Sequence, residues 1–409
     1  DGFRGIVVVL ADSELDIEID DIRLDRDAVG VTPQHGDHFY FGDSGEETPP
    51  PVSAEGVDLT NHDARMALKV PITTNAFHSI AAVRITGPTS ANNPIGIMPA
   101  QSFKGSAFLE NGRLKLAHPA AVDVEKRFSD ITDGQVYIVE GGHDGFDSYL
   151  KVNGYTIGEN QAIEYSDLKD FEIGKLNGGQ SFPGILGAAA YYDRALTAAE
   201  QTQARNYIRS RVTVPVTHFY TAEGDSMTSE VYSYAKKLPS TIQGHKVIAR
   251  VPAVAGGFTS DMVIRASKID AAIPADLNGA VPILSVLSTN SLNMPSATAQ
   301  SYIDELYAYT DARRAAGWKV IILVPSPRNP ANVTYDQKRD QVIPILQADA
   351  GTRFDALVDY SADPDIGITE STTNLDYYYD AASGSAHWTV FANDKLLNQY
   401  VLPVFPSLL

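Results

Sequence analysis

Between about residues 66 and 211, apolar and polar positions alternate in short runs broken by turn residues. From 212 onward the period lengthens, and strand-like runs are separated by helical ones. The first pattern predicts strands at 66–70, 79–86, 105–110, 113–117, 136–140, 148–152, 170–173 and 185–192, with Asn111-Gly112 and Asn153-Gly154 as hairpin turns. Many short antiparallel strands at this spacing predict a β-sandwich. Thr197 followed by Glu200 is a capping box that opens a helix running to about residue 211. The second pattern predicts strands at 216–222, 246–251, 281–287, 319–324 and 356–359, with a helix at 297–315 ending at Gly317. Strands alternating with helices predict a three-layer α/β/α fold with a mostly parallel sheet. A further helix is expected behind Ser226, because Val231, Tyr234, Ala235 and Leu238 fall on one helical face.

Ahead of both lies a period-two stretch at 15–20, read as a strand with a solvated acidic face, followed by the Pro-rich segment 45–51, read as an exposed linker. The expected organisation is therefore multidomain: an acidic β segment and linker at 1–65, a β-sandwich at 66–211, and the α/β domain at 212–409.

Composition narrows the function. The net charge is −19, and residues 1–65 hold sixteen Asp and Glu against four Arg. Such a surface repels polyphosphate, so neither nucleic acid nor an anionic membrane is an expected partner. No apolar run is long enough to cross a bilayer. The absence of cysteine excludes disulfides, thiolate catalysis and cysteine-based zinc sites. No metal site is expected. The acids at 15–20, and Asp58, Asn61 and Asp63, do not fold several oxygens around one point as calcium requires. His35 and His38 lack further ligands at a recognisable spacing. His143, in a Gly-rich stretch, is read as a solvated turn residue, and His218 as structural.

In an open α/β sheet, functional residues collect at the carboxyl ends of strands. Those ends carry Gly224-Asp225-Ser226, then Val254-Ala255-Gly256-Gly257, then Ser288-Thr289-Asn290-Ser291, and finally His387-Trp388-Thr389. Acyl transfer by serine needs a nucleophile, a base with an orienting group, and donors for the oxyanion. Ser226 and His387 supply the first two, and a glycine N–H (Gly256 or Gly257) with the Asn290 amide supplies donors. Asp225 adjoins the nucleophile but is expected to bond backbone N–H groups, as Asp does at helix starts.

These four blocks, in this order, resemble the SGNH (GDSL) hydrolases across residues 214–409. The resemblance implies a serine esterase with no cofactor, an oxyanion hole of Ser226, Gly256 and Asn290, and a triad acid shortly before His387. The chain departs from the family at Ser288 and Ser291, which stand where it has glycine and aspartate, and at Gly384, which stands where it keeps the acid. Asp380 is the first candidate for that acid and Asp376 the second; a Ser–His dyad with a carbonyl orienting the imidazole is the third. The stretch ending in "YYDRALTAAE" is similar to the close of concanavalin A-like (laminin G-type) jelly rolls, covering roughly residues 66–211. Together the two resemblances imply O-deacetylation of a polysaccharide by an extracellular or virion-associated protein, in the style of a phage tail spike, with a homotrimer as its assembly. A lipid or thioester hydrolase on the same scaffold, and a glycan-binding protein with a decayed hydrolase domain, are the alternatives.

Overall fold

The computed structural model describes residues 134–144, 147–161, 184–192, 194–210, 212–328, 332–379 and 387–409, together with strand segments within 5–127 and at 171–173. The predicted strand at 15–20, His35, His38 and the 45–51 linker lie outside the described residues. Contacts divide the chain into two units: Asp1–Pro215 with Pro274–Asp276, and Val216–Ile273 with Leu277–Leu409.

The first unit is built on an antiparallel sheet. Strands β1 (Ala76–Ile85), β2 (Val136–Asp144), β3 (Asp147–Val152), β4 (Tyr155–Gln161) and β5 (Gly184–Tyr192) lie in the order β4-β3-β2-β1-β5, and the Gly5–Val9 strand continues the sheet beyond β5. Two smaller antiparallel sheets accompany it, an arrangement that fits a β-sandwich. The β3–β4 turn has φ of 51° at Asn153 and 90° at Gly154, the left-handed pair that a type I′ hairpin demands. The strands flanking Asn111-Gly112 pair in register, with Glu110 opposite Arg113.

One expectation is corrected here. His143 is not a solvated turn residue: β2 runs on through Asp144, and His143 is buried. Gly141 and Gly142 are strand residues facing Ser79 and His78 of β1. A Cβ at 142 would run into the Tyr149 phenol, whose oxygen lies 2.7 Å from His78 Nδ1. Gly142 marks close packing, not a turn.

Helix α1 (Ala198–Arg209) begins with the expected capping box, Thr197 N–H donating to Glu200 Oε2 at 2.8 Å. Its Ala204 and Ile208, with Leu196 before it, pack on Ile80, Ala82 and Ile138 of the sheet. Arg205 also donates to both Glu140 carboxylate oxygens at 3.1 Å, so a buried polar group on the sheet is satisfied from the helix.

The second unit is an open, mostly parallel sheet. Its strands are β6 (Thr217–Gly224), β7 (His245–Arg250), β8 (Pro282–Leu287), β9 (Lys319–Leu323) and β10 (Ala356–Val358), in the order β7-β6-β8-β9-β10. The short strand Thr241–Ile242 pairs antiparallel at the β7 edge. Every residue of β6 and β8 is buried, as central strands covered on both faces must be. The order reverses at β6, so the carboxyl ends of β6 and β8 open onto the switch-point crevice. His218 accepts the Val281 N–H at 3.1 Å through Nδ1 and is a structural residue. Helix α5, placed between β8 and β9, spans Ala299–Ala315 and is capped by Thr298.

The helix expected over 227–238 is the second correction. The run splits instead: an α-helical turn, Ser226–Ser229, ends at Glu230, which is extended at ψ 155°, and a separate 3-10 turn follows at Tyr234–Lys237. A continuing helix would give the Tyr234 N–H to the Glu230 carbonyl; instead it donates to Asn393 Oδ1 at 2.9 Å. A long-range partner thus outcompetes local periodicity, burying Tyr234, Ala235 and Leu238 while Val231 stays exposed.

Beyond β10, Asp363 ties its loop to the C-terminal helix carrying Lys395. It accepts from Asp365 N–H (2.8 Å), Ile366 N–H (3.1 Å), Lys395 Nζ (2.8 Å) and Tyr400 Oη (2.6 Å). Burial acts to raise this carboxyl, but the donors outweigh it and hold it below the usual carboxylate range. A depressed folded-state value contributes stability above the unfolded value of about 3.9, lost as pH falls through the folded one. Wild-type Tm is therefore expected to fall more steeply than that of Asp363→Asn as thermal scans move below about pH 4. Parallel pH profiles would contradict this role.

Candidate active site

The site grows from the carboxyl end of β6. Gly224 allows this end to approach its neighbours, since a Cβ there would lie 2.5 Å from the Leu287 carbonyl oxygen and 2.7 Å from Thr228 Oγ1. Asp225 then caps the single turn α2 (Ser226–Ser229), its Oδ1 accepting the Met227 N–H at 3.0 Å. Its Oδ2 accepts the N–H groups of Thr289 (2.8 Å) and Asn290 (3.1 Å), at the start of α4 (Thr289–Asn293). Asp225 is 0% exposed, and burial pushes its carboxyl up against the opposing pull of these N–H groups and of the Arg328 charge. This acid locks two strand ends together through backbone donors.

Ser226 follows at the head of that turn, and its Oγ lies 2.8 Å from His387 Nε2. The two residues are 161 positions apart, and the fold brings them into hydrogen-bond contact. His387 is steadied by its neighbours. Its carbonyl accepts the Tyr379 N–H at 3.2 Å, and the Tyr379 ring stacks on the imidazole at 17° and 5.8 Å between centroids. The Tyr379 hydroxyl donates to Glu230, which directly follows α2. Asp380 and Gly384 lie outside the described residues. Asp376 is exposed, and its carbonyl accepts the Thr389 hydroxyl at 2.5 Å.

The glycine block is stitched to the same place. Val254 N–H donates to the Gly224 carbonyl at 3.1 Å, and the turn closes with Gly257 N–H on the Val254 carbonyl at 2.9 Å. Gly257 therefore has no N–H to offer an oxyanion. Gly256, at φ 75° and exposed, keeps its N–H clear of any bond among the described residues. Asn290 reaches across, its Nδ2 donating to the Gly257 carbonyl at 3.3 Å. A Cβ at 257 would sit 2.9 Å from the Val254 carbonyl oxygen and displace the turn. Gly257→Ala should therefore lower kcat by about 10- to 100-fold through misplacement of Gly256. An unchanged kcat would remove this turn from the machinery.

Ser288 and Ser291, the two departures from the SGNH pattern in this block, have a structural use. Thr259 Oγ1 lies 2.7 Å from Ser288 Oγ and 3.0 Å from Ser291 Oγ, all buried. Ser291 Oγ also accepts the Thr259 N–H at 2.8 Å, at the start of α3 (Thr259–Ala271). This hydroxyl cluster fastens the glycine block to the asparagine block.

Two residues escaped the sequence reading. Arg328, in the loop after β9, donates from Nη2 to Asn290 Oδ1 at 2.6 Å. Tyr379 is the other. The rule of inspecting strand carboxyl ends reaches Arg328 when it is extended to β9, whereas Tyr379 leaves no motif. Among the described residues, no group of three His, Asp or Glu side chains is placed to hold a metal ion, and no helix is long and apolar enough to cross a membrane.

No family model matches the chain, and no curated protein matches it. Among solved structures, it is similar to a member of the lipolytic protein G-D-S-L family from Veillonella parvula, at 14% identity, covering 46% of this chain and 99% of that one, TM-score 0.38. TesA is similar at 18% identity over 47% of this chain and 100% of its own, TM-score 0.36. A sialidase from Trypanosoma rangeli matches at 15% identity over 39% of this chain, TM-score 0.31, and the chain spans only 28% of the sialidase's length.

Proposed function

We propose that the second unit is a serine esterase of the SGNH type, with Ser226 as nucleophile and His387 as base. The observation carrying this reading is the 2.8 Å contact between Ser226 Oγ and His387 Nε2 at the carboxyl end of β6. His387 takes the Ser226 hydroxyl proton as Oγ attacks the ester carbonyl carbon. The oxyanion is received by the Ser226 N–H, the Gly256 N–H and the Asn290 amide. On collapse His387 gives its proton to the leaving alcohol, and the acyl-enzyme is released by a water that His387 deprotonates in turn. Asp380 stays the first candidate for the group that orients His387, and no metal or organic cofactor takes part.

The substrate we propose is an O-acetylated polysaccharide, with the first unit a concanavalin A-like sandwich in an extracellular or virion-associated, trimeric protein. The acidic chain and its antiparallel β unit support this reading. So does Tyr379, 54% exposed beside His387, which offers an aromatic surface at the site. The test is acetate release from O-acetylated glycans beside hydrolysis of a short-chain aryl ester. Glycan turnover that vanishes in Ser226→Ala supports it. Turnover of long-chain acyl esters or thioesters alone would move the assignment to lipid or thioester hydrolysis, and glycan binding with no turnover would favour a decayed domain. Light scattering at three times the chain mass of 44.2 kDa is the expected assembly result.

A further inference from the structure

Asn290 is held from both sides by groups of unambiguous polarity. A guanidinium only donates, so the amide atom 2.6 Å from Arg328 Nη2 is the oxygen. A carbonyl only accepts, so the atom 3.3 Å from the Gly257 oxygen is the amide nitrogen. The two constraints agree on one orientation. It leaves the second Nδ2 hydrogen for an oxyanion. Arg328 is itself anchored, its guanidinium over the Tyr335 ring at 5.8 Å, while the Tyr335 hydroxyl donates to the Ser326 carbonyl at 2.6 Å. Below the same asparagine, the buried Asp225 carboxylate holds the Asn290 N–H. The side chain and the main chain of one residue are thus fixed by a cation and an anion respectively.

We propose that Arg328 is a positioning residue that acts through Asn290, fixing its amide with the N–H toward the substrate and polarising that N–H for the oxyanion. The proposal rests on the esterase reading above. A charged donor on the amide oxygen draws electron density from the nitrogen and strengthens the bond the N–H makes in turn. Its benefit appears where negative charge develops, so kcat should respond and KM should not.

The test is a double-mutant cycle on the full chain with a neutral aryl acetate, which offers no anion for Arg328 to bind. Arg328→Met is expected to lower kcat by about 10- to 100-fold, below the ~10²–10³ for loss of an oxyanion donor, with KM within about 3-fold. In the Asn290→Ala background the same change should cost less than about 3-fold, because the group it acts through is gone. Arg328→Lys, which keeps the charge without the planar fork, should recover part of the loss and serves as the probe if Arg328→Met does not fold. Losses that multiply in the double mutant, or a change confined to KM, would overturn the proposal. If Ser226→Ala keeps wild-type turnover, the esterase reading falls and this inference with it. If Ser226→Ala is inactive and the Arg328 and Asn290 losses are independent, only this inference falls.

Discussion

Ser226→Ala is expected to reduce kcat for a short-chain aryl ester by on the order of 10⁴-fold or more while leaving the thermal unfolding temperature near that of wild type. The hydroxyl is the atom that bonds to the substrate, so nothing else in the site takes over its step. Ser226 is partly exposed at the head of a one-turn helix, and its removal leaves no buried donor or acceptor orphaned except at His387. His387→Ala should cost a comparable amount, and the double variant little more, because base and nucleophile act as one unit. Substantial activity in Ser226→Ala would point to a different nucleophile.

Asp225→Ala carries the next largest expectation, and it combines stability with activity. Three backbone N–H groups lose their acceptor, the fully buried Asp225 carboxylate: those of Met227 and Thr289, which are buried, and that of Asn290, which is part-buried. Each buried donor left unsatisfied costs about 1–3 kcal/mol, so a clear drop in Tm is expected. Asn290 also loses the bond that sets its main chain, and kcat should fall by about 10²–10³-fold as the oxyanion donor moves. Asp225→Asn is no remedy, because its NH₂ would face either Met227 N–H or the N–H pair of Thr289 and Asn290. The pair of variants separates this role from that of a triad acid. A triad acid would leave Tm nearly unchanged on substitution by Asn, whereas a backbone clamp would not.

Much of the site was legible because its parts are local. Gly224-Asp225-Ser226, Gly256, Asn290 and His387 stand at strand ends or just before a terminal helix, and the capping and turn chemistry around them is written in neighbouring residues. The role of Asp225 followed from the same helix-start chemistry. What escaped depends on partners far away in the chain. The run 227–238 has helical spacing, yet Glu230 is extended and Asn393 takes the Tyr234 N–H, so the run breaks into one α turn and a separate 3-10 turn. Gly141-Gly142 reads as a turn until both are seen paired in a strand, with Tyr149 where a side chain at 142 would stand. Arg328 carries no motif of its own; only the fold sets it on Asn290, 38 residues earlier. Ser288 and Ser291 read in isolation only as departures from the motif the block resembles, and become a fastening once Thr259 is beside them.

The measurement that bears most directly on the esterase mechanism is covalent trapping with a fluorophosphonate, read by intact mass and peptide mapping. Such a probe phosphonylates a serine only where a base and an oxyanion hole activate it. The mechanism predicts a single adduct on Ser226, none on Ser226→Ala, and labelling slowed strongly in His387→Ala. An unlabelled wild-type protein, or an adduct that persists on Ser226→Ala, would contradict it.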